Sequence, residues 1–426
     1  MRRALIIGAS IILLVLAALA AYYYFFSGAP GLTGAPSTTL PVAGTATNPI
    51  ATGTTSDTTG ATTDTKPTTP PIATKVTARL VKISAGPVVP GEAIVDVTTT
   101  SFATSSTVSK KGVTQIVVIP ATKVVDVNVE FIERQSGNIF SYLVRAGTLT
   151  RTSNRTLLGI EEAQWLPSGL MAFVRYLSGD TLSIVNTYGI AVDGSGGFFL
   201  PQGLADIAVA STSVLALASG ANGSVASLMR ADGTNTKTVF TSPLSSLRVA
   251  YGEGGQYFAF TKPAQSLLGD LFLVDSAGNF SRIAGPLPGL VALPSPSGKE
   301  VLISYAQGGV MHTALVHTAT QAIIVLPVAT IADKCVWAQD DSAVYCAVPR
   351  APSSEYAYPD DWYQGAIPFN DRIWKISVTS RYTQVVLDFS SASAGALDAI
   401  ALAIDQAGTT LVFVNKNNGS LWSYQL

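Results

Sequence analysis

The sequence predicts an all-β fold: a seven-bladed β-propeller closed by an N-terminal strand, preceded by one transmembrane helix and a disordered linker. Three observations carry that prediction. Of 426 residues only 12% are charged and 47% are hydrophobic, with 37 Gly and 23 Pro, a mix that suits short strands and tight turns better than helices. A turn residue followed by an alternating apolar run recurs seven times from Gly137 to Tyr424. The two ends of the repeating region complement each other: the last unit lacks a fourth strand, and an unpaired strand stands at the start.

In chain order, residues 1–3 form a cytoplasmic stub. Residues 4–26 are an uncharged run that, at about 1.5 Å rise per residue, is long enough to cross a hydrocarbon core of about 30 Å as a helix. Tyr22 to Phe26 resemble an interfacial aromatic belt, and Arg2 and Arg3 hold the N-terminus in the cytoplasm. The alternative is a cleavable secretory signal. The expected localisation is that of a single-pass membrane protein, with the rest of the chain extracytoplasmic, at the cell surface or in the periplasm. Residues 27–75 are rich in Thr, Pro and Ala and nearly free of large apolar residues, so they read as a disordered linker.

Residues 76–426 carry the repeat. Its units are spaced by roughly 45 residues, apart from one wider gap, which is the period of a four-stranded propeller blade. The third-strand copies are Gly137–Tyr142, Gly179–Ile184, Gly223–Leu228, Gly269–Val274, Gly309–His312, Asn370–Ile376 and Gly419–Tyr424. Ahead of most lies a hairpin, as in Trp165-Leu166-Pro167-Ser168-Gly169 leading into Met171 to Val174. A shorter fourth strand follows, as at Leu149 to Thr152, Phe280 to Ile283 and Tyr382 to Leu387. Arg79 to Ser84 looks like a fourth strand with nothing before it, and the inference is that it completes the last blade and closes the ring. Residues 99–123 hold extra strand-like runs that fit no place in the first unit.

A tryptophan before a Pro-Ser-Gly or Asp-Asp-Ser turn, then an apolar strand, then a strand with an aromatic, resembles the WD-like repeats of TolB-type propellers over residues 79–426. The chain also resembles membrane-anchored bacterial propeller proteins with a similar Asp360-Asp361-Trp362-Tyr363 insertion. The resemblance implies fold far more than activity.

Cys335 and Cys346, the only cysteines, sit symmetrically about the Asp340-Asp341 turn. Opposed on paired strands they fit a disulfide; the alternative is two small buried hydrophobes. The insertion 351–369 offers Tyr356, Tyr358, Asp360, Asp361, Trp362 and Tyr363 as ligand-binding candidates. In a propeller blade it emerges over one mouth of the central channel, beside the lengthened loop Thr261 to Leu268. The alternative is a lid packing its aromatics onto the blades. His312 and His317, five positions apart on one strand, point to opposite faces and make no shared metal site. The Asp-Gly turns at Asp193, Asp232, Asp275 and Asp405 are too short for calcium loops and match hairpin chemistry.

No catalytic residue, metal site or cofactor is expected, since there is no Gly-x-Ser-x-Gly elbow, phosphate loop or His-Glu-x-x-His. A net charge of -1 carries no footprint for nucleic acid. The expected partners are an envelope or surface protein, a peptide or a glycan, with the membrane engaged through the N-terminal helix. The expected role is a membrane-tethered binding and scaffolding module. The alternative is a hydrolase or lyase at the channel mouth, which requires several of Asp206, Arg248, Asp333, Asp398 and the insertion acids to converge.

Overall fold

Seven four-stranded antiparallel sheets follow one another along the chain. A computed structural model describes residues 79–100, 104–110, 113–119, 123–392 and 394–426, all within the unit Lys75–Leu426. Blade 1 comprises Ala93–Thr100, Lys123–Ile132, Ile139–Leu143 and Thr148–Arg151. Blades 2 to 6 begin with the inner strands Ile160–Trp165, Leu204–Val209, Leu247–Tyr251, Val291–Pro294 and Cys335–Trp337. Blade 7 is built from Ala399–Ile404, Thr410–Asn415 and Leu421–Gln425, and its fourth strand is Leu80–Lys82. The register pairs Leu80 with Tyr424 and Lys82 with Trp422, so the expected closure by an N-terminal strand is observed.

The apolar pattern explains the packing. Second strands such as Tyr257–Thr261, Glu300–Gln307 and Ala343–Pro349 lie between neighbouring blades, so both their faces are covered and they read as nearly continuous apolar runs. Buried side chains fall into clusters that each join two successive blades. Val89, Ile132, Ile160 and Val174 join blades 1 and 2; Ile83, Val129, Val412 and Val414 join blade 7 to blade 1. The tryptophans of the repeat staple each blade to the one before. Trp165 Nε1 donates to Gly91 O at 3.1 Å, and Trp337 Nε1 to Leu293 O at 2.9 Å.

Several expectations change. The single-pass membrane localisation is corrected: among the described residues no helix is long and apolar enough to cross a membrane. The most apolar described segments are instead strands of the blades. The span 4–26 and the linker 27–75 lie outside the described residues. The third strand of blade 2 is Ile184–Ala191 rather than the run from Gly179. Gly179 and Leu182 take φ of 82° and 49°, so that stretch turns instead of extending. The unplaced runs within 99–123 resolve into an inserted hairpin, Thr104–Lys110 paired with Val113–Ile119, between the first two strands of blade 1.

Candidate functional site

Because four antiparallel strands alternate direction, every connection between second and third strands emerges on the same face as the links between blades. That face carries the insertion 351–369, between Ala343–Pro349 and Asp371–Ser377 of blade 6. Its one-turn helix Asp360–Tyr363 is held from four sides. Toward blade 4, Asp360 Oδ2 accepts from Gln265 N at 2.5 Å. Over blade 5, Gly289 sits so close that an added Cβ would lie 2.8 Å from Tyr358 O. Toward blade 7, Lys416 Nζ donates to Trp362 O and lies 4.0 Å from the centroid of that indole ring. Within blade 6, Tyr363 OH donates to Asp333 Oδ2 at 2.6 Å.

Beneath the helix lies a fully buried charge cluster. Lys334 is 0% exposed; its Nζ pairs with Asp371 Oδ2 at 3.0 Å and with Asp398 Oδ1, and donates to Ala399 O at 3.0 Å. Trp362 Nε1 and Phe369 N both donate to Asp398 Oδ2 at 3.0 Å. The ammonium also lies 4.8 Å from the Trp362 ring centroid and 5.2 Å from that of Phe369. Burial pushes the Asp371 carboxyl up to about 6; Lys334 pulls the other way, and the neighbouring Asp398 adds to the rise. Disulfide Cys335–Cys346 follows directly, its residues opposed in register as expected.

The candidate residues therefore divide. Tyr358 and Trp362 are buried; Tyr358 OH donates to Ser353 O at 2.8 Å. Asp360 and Asp361 accept backbone N–H groups, the latter from Ala357 at 2.7 Å. Tyr356 is half-buried against the core of blades 5 and 6. Tyr363 is 40% exposed. The same face also exposes Leu244 (41%), Leu267 (64%) and Leu268 (63%).

The central channel holds a cavity of about 490 Å³ lined by inner-strand residues including Gln164, Asp206, Arg248, Leu293, Trp337 and Leu402, and it extends to the turns at Ser295, Pro296 and Gln339 on the face opposite the insertion. On the insertion side of this cavity Arg248 Nη1 pairs with Asp333 Oδ2 at 2.8 Å, and the guanidinium lies 5.2 Å from the Phe260 ring centroid. Asp206 Oδ2 accepts from Val249 N at 2.9 Å. Burial raises the Asp206 carboxyl, with the charge of Arg248 opposing. Arg175 Nη1 pairs with Glu162 Oε1 at 3.3 Å, while its Nη2 donates to Leu204 O at 2.8 Å, tying blade 2 to blade 3. Asp206, Arg248, Asp333 and Tyr363 thus converge, whereas Asp398 belongs to the buried cluster. Sequence reasoning missed Lys334, Asp371, Glu162 and Arg175. The signal for Arg175 was a lone cation inside the apolar run Met171–Ser178.

Among the described residues no group of three His, Cys, Asp or Glu is placed to hold a metal ion. His312 stacks on Tyr305, and His317 lies 4.0 Å from Glu300. The Asp-Gly turns close on themselves: Asp193 Oδ1 accepts from Ser195 N, Asp232 Oδ1 from Thr234 N, Asp275 Oδ1 from Ala277 N and Asp405 Oδ1 from Thr409 N.

No known protein family matches the sequence, and no curated protein matches it either. Solved structures do. An oligogalacturonate lyase in complex with manganese is similar at 9% identity and a TM-score of 0.50, over 77% of this chain and 97% of that one. The propeller domain of the Trilobed protease from Pyrococcus furiosus is similar at 7% identity and a TM-score of 0.45, over 70% and 89%. TolB from Acinetobacter baumannii is similar at 9% identity and a TM-score of 0.42, over 78% and 80%. The lyase likeness supports the propeller fold alone. TolB is the kind of propeller that the tryptophan-and-turn pattern resembles.

Proposed function

We propose that this propeller is a binding module that takes a protein, peptide or glycan on the face carrying the insertion 351–369. One observation supports the reading: the insertion is pinned by partners on blades 4, 6 and 7, yet Tyr363 stays exposed on the face that also exposes Leu244, Leu267 and Leu268. Apolar side chains exposed on a rigidly held surface suit a docking site. The test is capture of ligands from a peptide display library and a glycan array by the full-length chain. Capture is compared with that by the variant Tyr363→Ala, Leu267→Ser, Leu268→Ser. A control variant, Leu170→Ser with Tyr382→Ala, alters exposed residues on the opposite face. Loss in the first variant alone supports the reading, and equal capture by both sinks it.

A second reading, a hydrolase or lyase at the channel mouth, is favoured by the convergence of Asp206, Arg248, Asp333 and Tyr363. Its test is turnover of captured ligands: cleavage that Asp206→Asn abolishes supports it, and ligands recovered intact count against it.

A further inference from the structure

Lys334, Asp371 and Asp398 bring an amine and two carboxyl groups together at 0% exposure. Lys334 ends the turn Ala332–Lys334 that enters blade 6, and Asp371 opens the third strand of that blade. Asp398 stands immediately before the inner strand of blade 7. The rings of Trp362 and Phe369, stacked 14° from parallel, lie beside the ammonium and seal the group from the insertion side. Charges held in such a place have lost their hydration, and a reaction that neutralises them is favoured.

The hydrogen bonds give the two carboxyls different roles. Asp398 Oδ2 accepts from Trp362 Nε1 and Phe369 N, both at 3.0 Å, while its Oδ1 faces Lys334 Nζ. Two N–H groups fixed on one carboxyl oxygen are placed to hold the negative charge that gathers there when the carbon is attacked. Asp371 Oδ2 accepts from Ala399 N at 2.7 Å and pairs with Lys334 Nζ at 3.0 Å. Its Oδ1 is buried with no hydrogen-bond partner among the described residues. An orphaned oxygen suits the protonated acid better than the carboxylate, and burial has pushed this carboxyl up to about 6. The amine is therefore held against one carboxyl by a second that can carry protons, with the entropy of bringing them together already spent in folding.

We propose that Lys334 and Asp398 condense into an amide bond, with Asp371 as proton carrier, joining blades 6 and 7 covalently beneath the insertion. The Lys334 ammonium passes one proton to Asp398 Oδ1, leaving a neutral amine and a carboxylic acid. Nζ attacks Cγ of Asp398, and negative charge gathers on Oδ2 under the Trp362 and Phe369 donors. Asp371 takes a second proton from Nζ and delivers one to the departing Oδ1, ending as it began. One N–C bond forms, one C–O bond breaks, and Oδ1 leaves as water with two hydrogens from the original ammonium or their equivalents; no oxidant or reductant is needed. Two opposite charges vanish from the core, and the ion pair is the state from which the bond forms.

The experiment digests the full-length chain with trypsin after denaturation and reduction, and reads the peptides by mass spectrometry. Trypsin does not cut after an acylated lysine, so residues 300–350 are expected joined to residues 382–416. The product should be one water lighter than those two peptides summed, with fragmentation placing the link between Lys334 and Asp398. Lys334→Arg and Asp371→Asn, each close in size to the residue replaced, should give unlinked peptides. Unlinked peptides from the unsubstituted chain overturn the proposal, and that reading needs no variant to fold. Loss of water confined to an Asp-Gly pair such as Asp193-Gly194, where ring closure onto the backbone also expels water, overturns it too. A link that persists in Asp371→Asn overturns the proton route.

Discussion

Replacing Lys334 with Met removes the only cation that touches Asp371 and Asp398 among the described residues, and it does so where nothing can rehydrate them. All three side chains are fully buried. The variant loses two ion pairs, the bond to Ala399 O and the cation's position near the Trp362 and Phe369 rings. Breaking a buried pair from one side costs about 3–5 kcal/mol, because the abandoned charges stay desolvated. Asp371 already sits near pKa 6 with the ammonium present, so removing it drives protonation further and softens the loss toward the lower end. In domains of 150–250 residues each kcal/mol moves Tm by about 2–4 °C; in this larger propeller a drop of about 5 °C is expected. Since Trp362 hangs on Asp398, proteolytic cleavage within 351–369 should accelerate in parallel. The measurements are a thermal melt and limited proteolysis at pH 7. A drop under about 1 °C, or an insertion as resistant as before, would show that the cluster does not anchor the helix.

Two further outcomes test other parts of the fold. Both carboxylate oxygens of Glu92 are buried with no hydrogen-bond partner among the described residues, and burial raises its pKa well above 4.5. The folded state therefore holds this proton more tightly than the unfolded one. The resulting stability is complete below the unfolded value and lost as pH rises through the folded value; Glu92→Gln should raise Tm at pH 8 and change it little at pH 4, and a pH-independent shift would refute this. Gly289 adopts φ 62°, and an added Cβ would meet Tyr358 O at 2.8 Å and Pro359 Cδ at 2.9 Å. Gly289→Ala should cost at least about 1–2 kcal/mol from the left-handed backbone alone, and it should loosen the insertion in the same proteolysis assay; unchanged cleavage would separate Gly289 from the insertion's support.

The blades were legible because their information is local. Gly223 to Leu228 and Gly269 to Val274 announce their strands by a turn residue and an alternating run, and Leu80–Lys82 could be matched to the gap in blade 7 by counting strands. Blade 2 misled because Leu182 takes a positive φ, which an apolar residue rarely signals. The site was less legible because its contacts are distant in sequence. Lys334 meets partners 37 and 64 residues away, and nothing beside it distinguishes it from a solvated lysine. Trp362 and Asp361 belong to residue types that suit both binding and packing, and only their partners separate the two roles. Tyr363 differs from them simply by the side of the helix turn on which it falls.

The closure of blade 7 also sets an order of events during synthesis. Leu80 leaves the ribosome among the first residues of the propeller, yet its partner Tyr424 lies more than three hundred positions downstream. Blades 1 to 6 draw all their strands from contiguous stretches of chain and can assemble as they emerge. The ring cannot. Until Leu421–Gln425 has been made, the strand Leu80–Lys82 has no place to dock, and the faces of blades 1 and 6 that will meet blade 7 remain uncovered. The longest loop in the fold is thus closed last, which marks the interval before closure as the time when a nascent chain is most open to mispairing or chaperone capture.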